Sequence, residues 1–497
     1  MASATGAGAL PSSAAACADP TSLFRADFSS LDAYAPVSPL DVLAASLGLS
    51  VSELVKLDAN ENLYGPLPAV AAAVSSCDVL HIYPDPDAGA LRRACAGFLG
   101  GGASAAGVAV GCGSDELLDL VLRLFAPAAV VSLPPTFGMY PFLAKIAAIP
   151  LVALDRGPAP DFGLDWAALR AAAAAGAAAA AARGGGCGTV VFAASPNNPT
   201  GGMLSHADVR RLCALPRALV VLDEAYAEFA APGASAAALV PEFGNLVVLR
   251  TFSKWAALAG LRVGYSLSHA ATAAALMALK QPYNVNVAAD VGARAALRCA
   301  GDIMAQQVAP LLAQRARLAA ALDATAWLVP VPTDANFVLF EVRPPFVAAD
   351  VYAALRRRGV LTRYYASGRL RGCIRISTGR PEDIDRLLAA VAAVAAEHEA
   401  AHGPVVLPKR ANALLWDMDG VLVDVAGSYR QAIVQTAAAF DAEGARARAR
   451  ARGAPPAPAA ALSVLLPSFL PPSARAQSRP RSSTKSRRRA APTTTGR

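Results

Sequence analysis

Between about residues 76 and 300, short and nearly continuous apolar runs alternate with longer stretches whose apolar positions recur at helical spacing. The runs at 108–110, 130–133, 189–193, 219–222 and 246–249 are rich in Val and Leu, which predicts strands buried on both faces. Their alternation with helices predicts an α/β fold with a mostly parallel sheet covered by helices on both sides. Upstream, 39–49 reads as a short amphipathic helix. The segment after it, Val55 to Asn62, is not helical, because Pro66 and Pro68 follow closely.

From 301 to 400 the pattern changes. A helical stretch at 303–322 precedes strands at 337–341, 360–364 and 373–377, and a last helix runs from Pro381 to about Glu399. The expected organisation is therefore a leader at 1–30, an N-terminal segment at 31–75 that contributes to a small domain, a large domain at 76–300 and the small α/β domain at 301–400. A linker at 403–410 leads to a separate fragment at 411–440. Residues 441–497 are rich in Ala, Arg, Pro and Ser, a composition expected of a disordered tail.

Composition narrows the function classes. The chain has 497 residues, of which 55% are hydrophobic and 16% charged, which excludes a protein disordered throughout and a coiled coil. The longest apolar tract is the alanine run at 171–182, flanked by Arg170 and Arg183, and it is too short and too weakly apolar for a spanning helix of about 20 residues. No membrane partner is expected. The net charge is +8, yet residues 441–497 carry eleven Arg and one Lys against one Asp and one Glu, a surplus of +10 that leaves −2 for the rest. The globular part thus gives no reason to expect nucleic-acid binding. Eight cysteines without a CxxC pair read as reduced thiols of an intracellular compartment, cytoplasmic or plastid. The Ala/Ser-rich leader has the composition of a transit peptide, although Arg25 is its only basic residue. No metal site is expected.

In parallel sheets ligands bind beyond the carboxyl ends of strands. After 190–194 comes Ser195-Pro196-Asn197-Asn198-Pro199-Thr200-Gly201, and after 219–222 comes Asp223-Glu224-Ala225-Tyr226. After 246–249 comes Arg250-Thr251-Phe252-Ser253-Lys254, and after 108–110 the turn Gly111-Cys112-Gly113-Ser114-Asp115. Taken singly, the Asp is a helix cap, the Lys a solvated charge and the Gly turn only a turn. Together, at one end of neighbouring strands, they fit pyridoxal 5′-phosphate: an amine for its aldehyde, a carboxylate for its pyridine nitrogen, Asn and Tyr for its ring oxygen, and hydroxyls, amides and an Arg for its phosphate.

The ordered motifs LDANENLYGP (57–66), YPDP (83–86), GCGSDEL (111–117), PPTFGMY (134–140), NNPTG (197–201), DEAYAEF (223–229), TFSKWAALAGLRVGY (251–265), KQPYNV (280–285) and RISTG (375–379) resemble the histidinol-phosphate aminotransferase family of fold-type-I pyridoxal-phosphate enzymes. The resemblance runs from about 31 to 400. It implies a three-layer αβα large domain with a smaller α/β domain. Lys254 is then the Schiff-base lysine, Asp223 faces the pyridine nitrogen, Asn198 and Tyr226 hold the ring oxygen, and Phe137 stacks on the ring. Ser114, Asp115, Thr251, Ser253 and Arg262 surround the phosphate, while Tyr83 reaches the cofactor of a second subunit in a homodimer with shared sites. Arg363 and Arg375 take the anionic end of the substrate, with Asn60 near it. Leu63 stands where the family usually has Pro, and Cys112 where it often has Asn.

The implied reaction moves an amino group between histidinol phosphate and 2-oxoglutarate or glutamate, in histidine biosynthesis. An aromatic amino acid transaminase and a decarboxylase of amino-acid phosphates use the same set of groups. The fragment Trp416-Asp417-Met418-Asp419-Gly420 resembles the first motif of haloacid-dehalogenase-type phosphatases, with Asp417 as nucleophile and Asp419 as acid/base, but the later motifs of that family are missing.

Overall fold

The computed structural model describes residues 20–25, 38–366 and 368–403. Most of the expected leader, the 403–410 linker beyond Gly403, the fragment with Asp417 and Asp419, and the 441–497 tail lie outside the described residues.

Seven strands form the main sheet, in the order Val108–Gly111, Gly264–Leu267, Leu246–Thr251, Ala218–Asp223, Thr189–Ala194, Ala129–Ser132 and Leu151–Ala153. Every strand pairs parallel with its neighbours except Gly264–Leu267, which is antiparallel to both of its own. The side-chain alternation divides two cores across the sheet. Val131, Val191, Val220 and Val248 point into one, and Val130, Val190, Val221 and Val247 into the other. Both faces are dry because helices cover them, so strands such as Leu246–Thr251 are buried along their whole length. Fully burying each such Val or Leu contributes roughly 1.5–3 kcal/mol.

The expectation of four neighbouring strand ends needs one correction. Three are consecutive, but Val108–Gly111 is separated from Leu246–Thr251 by the antiparallel strand. After Lys254 the chain turns through the short 3₁₀ helix Ala259–Leu261 and re-enters the sheet between them. Gly264 makes this possible: a Cβ there would lie 2.7 Å from the Ser114 amide nitrogen and 2.9 Å from the Arg250 carbonyl.

The second sheet is antiparallel, in the order Arg363–Tyr364, Cys373–Ser377, Phe337–Val342 and Leu328–Pro330. The single strand expected at 360–364 is two. Val360–Leu361 pairs in parallel with Val55–Lys56, and after Thr362 the chain changes sheets. The helices Ala309–Asp323, Ala348–Arg357 and Pro381–His402 accompany this sheet, and Val55 and Leu57 are buried in the same core. A π turn, Met304–Val308, precedes the first of these helices and carries the buried Gln307. Among the described residues no helix is long and apolar enough to cross a membrane.

Candidate active site

A cavity of about 680 Å³ opens at the carboxyl ends of the central strands, between the large sheet, the N-terminal segment and the small antiparallel sheet. Asn60, Ser114, Asp115, Phe137, Asn198, Asp223, Tyr226, Thr251, Ser253, Lys254, Arg262, Arg363 and Arg375 all line it. Tyr83 does not. It lies on the surface, 78% exposed, stacked on Tyr283 with ring centroids 4.5 Å apart.

Lys254 follows the end of Leu246–Thr251, and its Nζ donates to the Ala59 carbonyl at 3.1 Å. Removal from water, with Arg375 close by, lowers its pKa to about 8. Asp223 ends the adjacent strand and is buried. Burial raises its pKa to about 6, against the pull of hydrogen bonds from the Tyr140 phenol at 2.7 Å and the Ala225 amide at 3.1 Å. A carboxylate kept in such a place gains most from a cationic partner, and the cavity beside it is where a protonated ring nitrogen would sit.

At one side of the cavity the turn before helix Gly113–Phe125 presents first-turn amides that lack intrahelical acceptors. The Thr251 hydroxyl contacts the Ser253 hydroxyl at 3.0 Å, and Arg262 Nη1 lies 3.4 Å from the latter. Asp115 holds the same guanidinium at 3.6 Å. Arg262 is held in the left-handed region at φ 54°, and Gly113, at φ 78°, leaves its guanidinium room: a Cβ there would come within 2.6 Å of Arg262 Nη2. Hydroxyls, helix amides and a guanidinium converging on one space make a dianion site.

On the other side, Tyr226 OH accepts from Asn60 Nδ2 at 3.0 Å, which leaves the phenol hydrogen free to donate. Asn60 is left-handed, at φ 55°, a conformation Asn tolerates better than most residues. Its amide and side-chain oxygen both meet Ser377 Oγ at 2.8 Å. Arg375 donates to Asn198 Oδ1 and to the Asp58 carbonyl, each at 2.5 Å, while its buried Nε has no partner. Arg363 lies beside Tyr365, its guanidinium 6.0 Å from the ring centre. Two guanidinium groups thus line one end of the cavity.

The buried Asp223 carboxylate, the dianion site and the Arg363–Arg375 pair on the wall fit pyridoxal 5′-phosphate and an anionic substrate. Lys254 would bond its aldehyde, Asp223 its nitrogen, Tyr226 and Asn198 its ring oxygen, and Ser114, Thr251, Ser253 and Arg262 its phosphate. The sequence reading assigned no role to Tyr140, Asp58, Glu61, Thr136 or Tyr365, which also line the cavity. Tyr140 stands inside PPTFGMY, and Asp58 and Glu61 inside LDANENLYGP, so the signal was present in the motifs. Thr136 Oγ1 donates to Asn197 Oδ1 at 2.8 Å and ties the Phe137 loop to the Asn198 loop.

The expectation of no metal site passed over one spacing. His398-Glu399-Ala400-Ala401-His402 is the HExxH pattern by which a helix presents two zinc ligands. In the structure the two rings stack on each other with centroids 4.5 Å apart, and His398 also packs against Phe346. Among the described residues no group of three or more His, Cys, Asp or Glu is placed to hold an ion.

Residues 52–391 match the family model for class I and II aminotransferases. The chain is 43% identical over 377 residues to histidinol-phosphate aminotransferase of Roseiflexus castenholzii, covering 74% of this chain and 97% of the relative. It is 39% identical over 369 residues to the chloroplastic histidinol-phosphate aminotransferase 1 of Arabidopsis thaliana, covering 74% and 84%. In three dimensions it resembles the Sinorhizobium meliloti histidinol-phosphate aminotransferase solved with pyridoxal 5′-phosphate, with a TM-score of 0.63, 27% identity and coverage of 75% and 99%.

Proposed function

From the premise that the chain belongs to the class I and II aminotransferases, and among them to the histidinol-phosphate aminotransferase family, we infer that it exchanges an amino group between L-histidinol phosphate and 2-oxoglutarate. It is a pyridoxal-phosphate-dependent transaminase. When bound, the cofactor supplies an aldehyde that takes up the amino group and a ring that draws electrons from the carbon losing its proton.

The protein's own groups do the rest. Lys254, neutral above a pKa of about 8, is the base that takes the substrate proton once its amine is free. Asp223 would keep a positive charge on the ring nitrogen, and Tyr226, whose phenol hydrogen is free, would donate to the ring oxygen. The observation that carries the substrate assignment is the pair of guanidinium groups on the cavity wall, Arg375 with Arg363 beside it on the adjacent strand. A phosphate needs such a pair, and the two carboxylates of glutamate can use the same groups in the return half of the cycle.

The active assembly is a homodimer with shared sites. Supporting this reading, Tyr83 and Tyr283 form an exposed aromatic pair, with Leu80 and Ile82 exposed on the segment leading to Tyr83 and Leu279 on that leading to Tyr283. An apolar patch of this kind marks an association surface. The compartment is intracellular, cytoplasmic or plastid. The seven cysteines among the described residues are all free, which suits a reducing environment.

The test is a donor panel at fixed 2-oxoglutarate. Histidinol phosphate should exceed phenylalanine and tyrosine in kcat/KM by at least about tenfold, the scale of one good phosphate contact set. An aromatic amino acid as the better donor overturns the substrate assignment and keeps the transaminase.

A further inference from the structure

Tyr140 is buried to 0% exposure in helix Met139–Ile146, stacked on Phe192 at 5.1 Å and edge-on to Phe137 at 5.6 Å. Its phenol donates to Asp223 Oδ2 at 2.7 Å, and the Ala225 amide donates to Oδ1 at 3.1 Å. Each carboxylate oxygen is therefore engaged once from the protein side. One lone pair on each is left for a donor in the cavity. The stacked rings fix the phenol, and the phenol fixes the plane of the carboxylate.

We propose that Tyr140 is the positioning residue that sets the aim and the charge of Asp223 toward the cofactor's pyridine nitrogen. The proposal rests on the cofactor alone and is independent of the substrate assignment. Apart from Tyr140 and the Ala225 amide, the groups that bear on Asp223 are Asp115, which resists its ionisation, and Lys254, which favours it; Asp223 in turn raises the pKa of the Tyr226 phenol across the cavity. Burial pushes the acid up to about 6, and the phenol's hydrogen bond is the largest pull back toward the ionised form. A hydrogen bond to the ionised form lowers a carboxyl pKa. Without the phenol, Asp223 becomes the stronger base and holds the proton that the ring nitrogen should carry.

The experiment compares wild-type holoenzyme with Tyr140→Phe, which keeps the ring and its stacking. Cofactor labelled with ¹⁵N at the pyridine position reports the proton directly. The variant's ¹⁵N resonance should move toward the deprotonated position at neutral pH. The glutamate half-reaction should slow by about tenfold or more while the cofactor dissociation constant changes only a few-fold. An unshifted resonance overturns the proposal, whatever the activity. If circular dichroism shows that Tyr140→Phe has not folded, site-specific 3-fluorotyrosine at 140 replaces it. A more acidic phenol donates more strongly, so the resonance should then move toward the protonated position, and no movement or the opposite movement overturns the proposal.

Discussion

Lys254 Nζ and the Ala59 carbonyl are joined by a 3.1 Å hydrogen bond that spans 195 residues of sequence. The lysine stands at the end of a large-sheet strand, and Ala59 belongs to the N-terminal segment whose Val55 and Leu57 are buried in the small-sheet core. The amine is thus parked on a neutral acceptor, with no carboxylate bonded to it. Burial, with Arg375 close by, lowers its pKa, while Glu61 and Asp115 pull the other way.

The pH dependence of cofactor uptake follows. Only the neutral amine attacks an aldehyde, and Lys254 is lowered to about 8. Below that pH the covalent step in reconstituting apo-protein should fall about tenfold per pH unit, and above it the rate should level off. Stopped-flow absorbance measures it. A profile still climbing well beyond pH 9 means that the amine is as basic as a solvated lysine.

Asp223→Asn should damage chemistry far more than cofactor retention. The amide cannot hold a cationic ring nitrogen, and losing one such electrostatic partner costs about 3 kcal/mol or more, roughly 100-fold in kcat. Cofactor should still copurify through the phosphate groups. Activity within a few-fold of wild type places the nitrogen's partner elsewhere.

Asn60→Ala removes the donor to Tyr226 OH and the acceptor for Ser377 Oγ, both buried, and puts a less tolerant residue at φ 55°. Stability in urea should drop by about 1–3 kcal/mol, the cost of unpaired buried polar groups. Tyr226, no longer held, should also lose alignment, seen as lower kcat. An unchanged denaturation midpoint tells against the N-terminal segment as a clamp on the site.

Shared sites can be tested by mixing. Tyr83→Ala and Lys254→Ala chains should each be inactive, and subunit exchange should rebuild one intact site per heterodimer. Recovered activity should approach about a quarter of wild type, half the dimers carrying one site of two. No recovery after exchange is verified by mass spectrometry excludes a role for Tyr83 across the interface.

Much of the site was legible because the sheet organises it. Asp223 and Lys254 follow strands whose apolar runs are unmistakable, so their shared end could be read from spacing. The strand Gly264–Leu267 was not, because it opens on Gly, includes Ser266, and begins two residues after a left-handed Arg262 that no periodicity marks. The break at Thr362 was hidden for a related reason: one run of residues serves two sheets, and pairing partners are not written locally. Tyr140 escaped because an aromatic three residues after Phe137 reads as core packing, and its hydrogen bond to a residue 83 positions away exists only in three dimensions. Gln307 likewise acquires its partners, Asn62 and the Gly65 carbonyl, only through the π turn that aims it.

The central claim is amino transfer from histidinol phosphate by Lys254, and a single turnover tests it most directly. Holoenzyme mixed with L-histidinol phosphate, without 2-oxoglutarate, should form one equivalent of the corresponding ketone phosphate per subunit, with the amino group retained on the protein-bound cofactor. Lys254→Ala should form none on the same timescale. Release of inorganic phosphate without ketone, or ketone formation undiminished in Lys254→Ala, would contradict the account.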